Sequence, residues 1–234
     1  MTAPPIIELH EAAVSVQAPG GELPLLHPTT LSLTEHRVAV IGSNGSGKST
    51  LARLLNGLVE PTSGRVTIDG LDTVEDGPRV RRAVGFVFTN PDAQLVMPTC
   101  AEDIALSLRR TIKDKKVRRA RALEILAEVG LADKADTTVH ALSGGQKQML
   151  ALAGVLATEP RVLVADEPTT LLDLRNTQIV ADRLFSLDQQ LVLVTHDLDL
   201  AQRCDRALVV DDARIVCDAA PHEAVAFYRS LVGA

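Results

Sequence analysis

Aromatic side chains are scarce in this chain: 234 residues include one Tyr, four Phe and no Trp. With 46% hydrophobic residues, the core must come from Ala, Val and Leu, a mix that fits parallel strands covered by helices. Cysteine is equally sparse. Cys100, Cys204 and Cys217 lie far apart without CxxC spacing, which argues against a disulfide framework or thiolate metal site and for reduced thiols. The six histidines form no ligand cluster, and only His196 stands in a context that asks for more. A cationic excess is missing too. The formal net charge of −6 lacks the positive footprint of a general nucleic-acid binder, so no nucleic-acid partner is expected. No apolar run approaches the roughly 20 residues needed to span a bilayer, and Met1 to Glu11 lacks the basic-then-apolar design of a secretion signal. The expectation is a chain that stays inside the cell and meets a membrane only through partners.

Repeats, low-complexity tracts and long linkers are absent. Residues 6–33 alternate apolar and polar positions around Pro19-Gly20-Gly21, which predicts antiparallel strands. Arg37 to Ile41 is a short apolar strand running into a glycine-rich turn. Ser49 to Leu58 follows as a helix, with Leu51, Leu54, Leu55 and Leu58 at helical spacing. Val66 to Asp69, closed by Gly70, and Val84 to Phe88 read as further strands. From residue 90 the pattern turns helical, notably over Lys116 to Val129, where Val117, Ala120, Leu123 and Leu126 or Ala127 share a predicted face. Arg161 to Ala165 and Gln190 to Thr195 are continuous apolar runs, as expected of central parallel strands. Ala207 to Val210 and Arg214 to Cys217, parted by Asp211-Asp212-Ala213, predict a terminal hairpin. The organisation read from this is one domain: an α/β lobe over 1–89 and 159–234, with a helical subdomain over 90–158. The charged run from Arg109 to Arg121 reads as a solvated helix face in preference to a docking patch.

Gly42-Ser43-Asn44-Gly45-Ser46-Gly47-Lys48-Ser49 fits G-x-x-x-x-G-K-[ST] between a predicted strand and a predicted helix, with Thr50 next. Its glycines let successive N–H groups curve around a phosphate, and the helix N-terminus adds positive potential. Lys48 supplies a mobile cation for the β- and γ-phosphates, and Ser49 a hydroxyl for Mg²⁺. Asp166 and Glu167 place two carboxylates where an apolar strand ends. Asp166 is suited to hold Mg²⁺, and Glu167 to position or deprotonate the attacking water. His196 ends the next apolar strand and is suited to contact the γ-phosphate. A second anion site is predicted at Leu142-Ser143-Gly144-Gly145-Gln146, where two glycines after a serine leave backbone N–H groups open at a helix start. One cradle is already complete, so Ser143, Gly144, Gly145 and Gln146 are best explained as serving another copy's ATP.

Taken together, the phosphate loop, LSGGQ, the acidic strand end and His196 resemble the ATP-binding cassette (ABC) ATPases over nearly the whole chain. That resemblance implies a P-loop NTPase fold: a RecA-like parallel-sheet lobe with N-terminal antiparallel strands and an inserted helical subdomain. It also implies a head-to-tail dimer with two sandwiched ATP molecules, in which Ser143, Gly144 and Gly145 of one copy grip the γ-phosphate held by Lys48 of the other. Asp173, in Thr169-Thr170-Leu171-Leu172-Asp173, matches the loop that communicates across that interface. Val87 to Gln94 and Ala153 to Ala157 look like the energy-coupling-factor group of vitamin and metal importers. In that group the ATPase, paired with itself or a sister, grips a transmembrane coupling subunit at the cytoplasmic face, and a small membrane protein captures the substrate. The run LSGGQKQ-x-LALAGVLA looks most like the biotin-dedicated kind, with cobalt or nickel next.

The chain departs from this pattern at several positions. Thr89 stands where the family has a glutamine linking the Mg²⁺ site to the transmembrane contact, and Thr is too short to reach as far. Either the coupling loop takes a different path, Gln94 substitutes, or hydrolysis is slower, a working but altered site being the favoured reading. Val16 occupies the likely place of an adenine-stacking ring, at an expected loss of about 1 kcal/mol. Met149 replaces an Arg and Leu171 a Gly, both expected near the dimer surface. A soluble cassette ATPase for assembly or quality control, and a poorly hydrolysing ATP-dependent clamp, are the alternative readings.

Overall fold

The computed structural model describes residues 4–233. In chain order its elements begin with β1 (Ile7–Ala18), β2 (Gly21–Leu33), β3 (Arg37–Gly42), α1 (Lys48–Asn56), β4 (Ser63–Ile68) and β5 (Leu71–Asp72). Next come α2 (Gly77–Ala83), β6 (Val84–Val87), α3 (Cys100–Ser107), α4 (Lys115–Glu128), α5 (Gly144–Leu156) and β7 (Val162–Asp166). The chain continues through α6 (Leu174–Phe185), β8 (Gln190–Val194), α7 (Leu198–Gln202), β9 (Arg206–Asp211), β10 (Arg214–Ala219) and α8 (Pro221–Val232). Two compact units result. One runs up to Phe86 and adds Arg161–Glu167 and the chain from Leu187 onward; the other comprises Val87–Pro160 and Pro168–Ser186. Residues 168–186, expected in the α/β lobe, group with the helical unit.

The first unit is built on a four-stranded sheet ordered β2-β1-β4-β5 and a six-stranded sheet ordered β10-β9-β3-β8-β7-β6, which ends on β6. β1 pairs antiparallel with β2 and β4, as the alternation over residues 6–33 predicts. In the larger sheet β3 is parallel to both β8 and β9, and β8 is parallel to β7. Every residue of β3, β7 and β8 is buried, which is why these strands read as unbroken apolar runs. Asp166 pairs with Val194, so β7 and β8 end together and deliver Glu167 and His196 to one edge. The hairpin β9–β10 turns through Asp212 and Ala213, both at positive φ. Helix α1 stops two residues before the predicted end: Gly57 turns left-handed and its N–H bonds back to the last helical turn, leaving Leu58 45% exposed.

The helical unit has its own apolar core, centred on Ile104, Leu126 and Leu150. Thr99 and Glu102 form a capping box at the start of α3, and the Asp114 side chain accepts the Lys116 and Val117 N–H groups to cap α4. The predicted inner face of α4 is corrected. Ala122, Ile125 and Leu126 are buried, whereas Val117 and Leu123 are exposed. Leu126 alone belongs to both stripes; the core lies under the stripe 122-125-126, nearly half a turn around from 117-120-123. Among the described residues no helix is long and apolar enough to cross a membrane.

Candidate functional site

In the first unit the loop leaving β3 supplies one cluster of the predicted residues. Gly42 has φ 149°, and a Cβ there would lie 2.1 Å from the Val210 carbonyl oxygen, so the loop closes onto β9 only with glycine at this position. Ser43 accepts the Ser46 N–H at 3.2 Å, while Asn44 and Gly45 form the exposed crown. Gly47 caps α1, whose first turn carries Lys48, Ser49 and Thr50. Lys48 is buried and curls back, its Nζ donating to the carbonyls of Gly42 (2.9 Å) and Ser43 (2.7 Å). Burial lowers its pKa, against the opposing pull of Glu167 and Asp166. The buried Ser46 Oγ has no hydrogen-bond partner among the described residues. A buried cation, an orphaned hydroxyl and a helix N-terminus on one loop make a cradle for an anion.

Ser49 Oγ donates to Asp166 Oδ1 at 2.9 Å, so a hydroxyl and a carboxylate converge beside that cradle. Asp166 is 2% exposed, and burial raises its pKa despite the Ser49 hydrogen bond and Arg53 at 3.9 Å. Glu167 follows at φ 53°, left-handed for a non-glycine residue, a conformation that costs on the order of 1–3 kcal/mol and clusters at functional sites. Its N–H donates to the Val194 carbonyl at 3.0 Å, which ties this turn to the end of β8. His196 Nδ1 donates to Glu167 Oε2 at 2.6 Å. The imidazole side chain is 56% exposed and the carboxylate side chain only 13%, so the ring stands on the solvent side of the carboxylate. Lys48, Ser49, Asp166, Glu167 and His196 therefore gather at one sheet edge. Val16, paired with Leu23 across the β1–β2 ladder, is 42% exposed.

In the helical unit Ser143 caps α5: its Oγ accepts the Gln146 N–H, and the Gln146 side chain accepts the Ser143 N–H at 3.0 Å. The two glycines prove unlike. A Cβ on Gly144 would make only ordinary contacts, the nearest at 3.7 Å from Leu172. A Cβ on Gly145 would fall 2.2 Å from Asn176 Oδ1, so this glycine is required for α6 to approach α5. Asn176 in turn gives its backbone N–H and its side-chain amide to the two carboxylate oxygens of Asp173, each at 2.8 Å. Those bonds hold the Asp173 carboxyl below the usual carboxylate range. Asp173 is thereby joined to the LSGGQ helix through a residue the sequence reading passed over; its signal was an Asp placed three positions before an Asn at a helix start.

Thr89 is half-buried on a loop pinned to α5. Gln94 accepts the Phe88 N–H at 3.4 Å and donates to the Ala151 carbonyl at 3.2 Å. Gln148, 1% exposed, donates to the Phe88 carbonyl at 3.2 Å, and Lys147 pairs with Asp92 at 2.7 Å. Gln148 was also missed; a glutamine in the apolar run after LSGGQ was its signal. Of the two departures expected near a surface, Leu171 is 65% exposed but Met149 is buried.

Residues 26–170 match the ABC transporter family. The chain is 42% identical over 225 residues to the biotin transport ATP-binding protein BioM of Rhizobium etli, covering 96% of this chain and 98% of that one. It is 42% identical over 199 residues to the energy-coupling factor transporter ATP-binding protein EcfA1 of Halalkalibacterium halodurans, covering 82% and 70% respectively. In structure it is similar to the ATP-binding cassette MJ0796, solved as a dimer in a post-hydrolysis state with ADP and Pi, with TM-score 0.82 at 29% identity over 92% of this chain and 98% of that one. The chain belongs to the ABC transporter family, as an ATP-binding cassette ATPase with the P-loop NTPase fold.

Proposed function

We propose that this chain is the ATP-hydrolysing subunit of an energy-coupling-factor importer, with biotin the favoured cargo and cobalt or nickel the next class. Its likeness to BioM and EcfA1 supports the importer assignment. In this reading two cassettes, identical or sister, close around ATP. A transmembrane coupling subunit at the cytoplasmic face of the membrane turns their opening into transport, and a small membrane protein supplies the substrate. Gly42 to Thr50 hold the phosphates of one ATP, and Ser143, Gly144, Gly145 and Gln146 of the facing copy complete its cage. Asp173, tied to α5 through Asn176, carries the state of one site toward the other. Thr89 and Gln94 form the loop that meets the coupling subunit, with Gln94 and Gln148 fixing its path on α5.

The observation that carries the hydrolytic role is the Glu167–His196 pair at 2.6 Å. Glu167 takes a proton from water as the water oxygen attacks the γ-phosphorus; the bond to the bridging oxygen breaks and ADP departs. His196 orients the carboxylate and presents its other nitrogen toward the γ-phosphate. Ser49 and Asp166 fit Mg²⁺, since both offer hard oxygens and the ion readily fills its remaining positions with phosphate oxygens and water. When bound, the ion supplies charge neutralisation at the phosphates.

Glu167→Gln tests this role. The variant is expected to bind ATP, form a stable ATP-dependent dimer on gel filtration and lose hydrolysis by at least about 100-fold. Hydrolysis at the parental rate would remove Glu167 as the base.

A further inference from the structure

The electrostatics of the helical unit point to a function outside the ATP chemistry. We propose that the surface formed by Arg109 to Lys116 and the first two turns of α4 docks directly on an anionic lipid bilayer. Residues 109–121 hold eight cations and one anion, in a chain whose net charge is −6. That single acid, Asp114, is engaged in capping α4. Three of the cations are also engaged: Arg118 with the Ile112 carbonyl, Arg119 with Asp136, and Arg121 with Glu124 and Glu128. Arg109, Arg110, Lys113, Lys115 and Lys116 are exposed and, among the described residues, have no ion pair or side-chain hydrogen bond. Internal structure therefore offers no reason for crowding them together, and an external anion does.

Two observations give the surface its character. The first seven residues of α4 are none of them buried, and Val117 stands 57% exposed between Lys116 and Arg118. Beside them lies a cleft of about 440 Å³ lined by Met97, Ala105, Leu106, Arg109 and Lys115, with one acid, Glu102. Cations surrounding accessible apolar groups suit an interface of headgroups over hydrocarbon. They suit nucleic acid poorly. No Phe, Tyr or Trp lies between Phe88 and Phe185 to stack a base, and the rest of the chain is acidic. This surface does not depend on the importer assignment, and it would add a lipid contact to whatever protein contacts hold the ATPase at a membrane.

Flotation with vesicles of phosphatidylcholine alone, or of equimolar phosphatidylcholine and phosphatidylglycerol, tests the proposal. The chain is expected to float only with the anionic vesicles at low salt and to be released as salt rises. The triple variant Arg110→Glu, Lys113→Glu, Lys116→Glu should bind at least about tenfold more weakly while hydrolysing ATP at the parental rate. A triple Ala variant should fall in between, and unchanged melting curves would exclude misfolding as the cause. Equal binding to both vesicle types, no binding to either, or parental binding by the Glu variant overturns the proposal. So does release by polyglutamate or single-stranded RNA at charge concentrations matching the lipid, since the surface would then be a general polyanion site.

Discussion

Gly144 and Gly145 are neighbours in the LSGGQ segment, yet substituting each should have separate consequences. An alanine methyl at Gly145 meets Asn176 Oδ1 at 2.2 Å, Cγ at 2.3 Å and Cβ at 2.8 Å. It cannot be accommodated without moving the Asn176 side chain, which carries one of the two bonds to Asp173. Overpacking of this kind costs about 1–3 kcal/mol. For a chain of this size each kcal/mol lowers Tm by roughly 2–4 °C, so Gly145→Ala should melt several degrees early. Gly144→Ala meets nothing closer than 3.7 Å and should change stability by less than about 0.5 kcal/mol. Its cost should appear elsewhere: the methyl crowds the N–H groups offered to a phosphate, so ATP-driven dimerisation in a Glu167→Gln background should weaken. Circular dichroism melting and gel filtration with ATP separate the two. Asn176→Ala added to Gly145→Ala removes the two nearest clashes and leaves the third, so part of the lost Tm should return. Equal melting of both glycine variants would refute the assignment of a packing role to Gly145 and an open one to Gly144.

Other consequences are checked by stability measurements. Burial pushes the Cys204 thiol up to about 12, against 9.0 for a free thiol, so between these values the folded chain holds a proton that the unfolded chain has lost. Stability should therefore fall as pH rises across that window, and Cys204→Ala should flatten the decline; an unchanged slope in urea titrations at several pH values would contradict this. The buried Asn56 side chain donates to the Val84 carbonyl at 2.6 Å, bridging α1 and β6. Asn56→Ala leaves that carbonyl without its donor and should cost about 1–3 kcal/mol in urea unfolding, with the m-value unchanged; a loss below half a kcal/mol would show that the carbonyl finds another donor.

Much of this site was legible because its signals are local. Gly42 to Thr50 specify a turn and a helix start within nine residues, and the apolar runs before Asp166 and before His196 announce strands buried on both faces. What brings Glu167 and His196 together is the parallel register of β7 and β8, which the equal character of the two runs suggested but could not set. Gly145 was read as freeing backbone for phosphate because its neighbour in space, Asn176, lies on another helix. The stripe on α4 was misplaced for a related reason. Its N-terminal half is cationic and stands off the core, so only Ala122, Ile125 and Leu126 report the packed face, while Val117 and Leu123 resemble core residues in type alone. Helix α8, whose buried residues are only Ala224 and Val225, gave too faint a periodicity to be seen.

The inward curl of Lys48 changes what nucleotide binding means for this loop. Its ammonium already has two oxygen partners, the carbonyls of Gly42 and Ser43, and Ser49 already has Asp166. An arriving triphosphate therefore competes with resident acceptors, and its affinity reflects the difference between two sets of bonds instead of the strength of one. The same bonds define the loop's shape from within, so that nucleotide capture is an exchange of partners on a scaffold the chain itself sets.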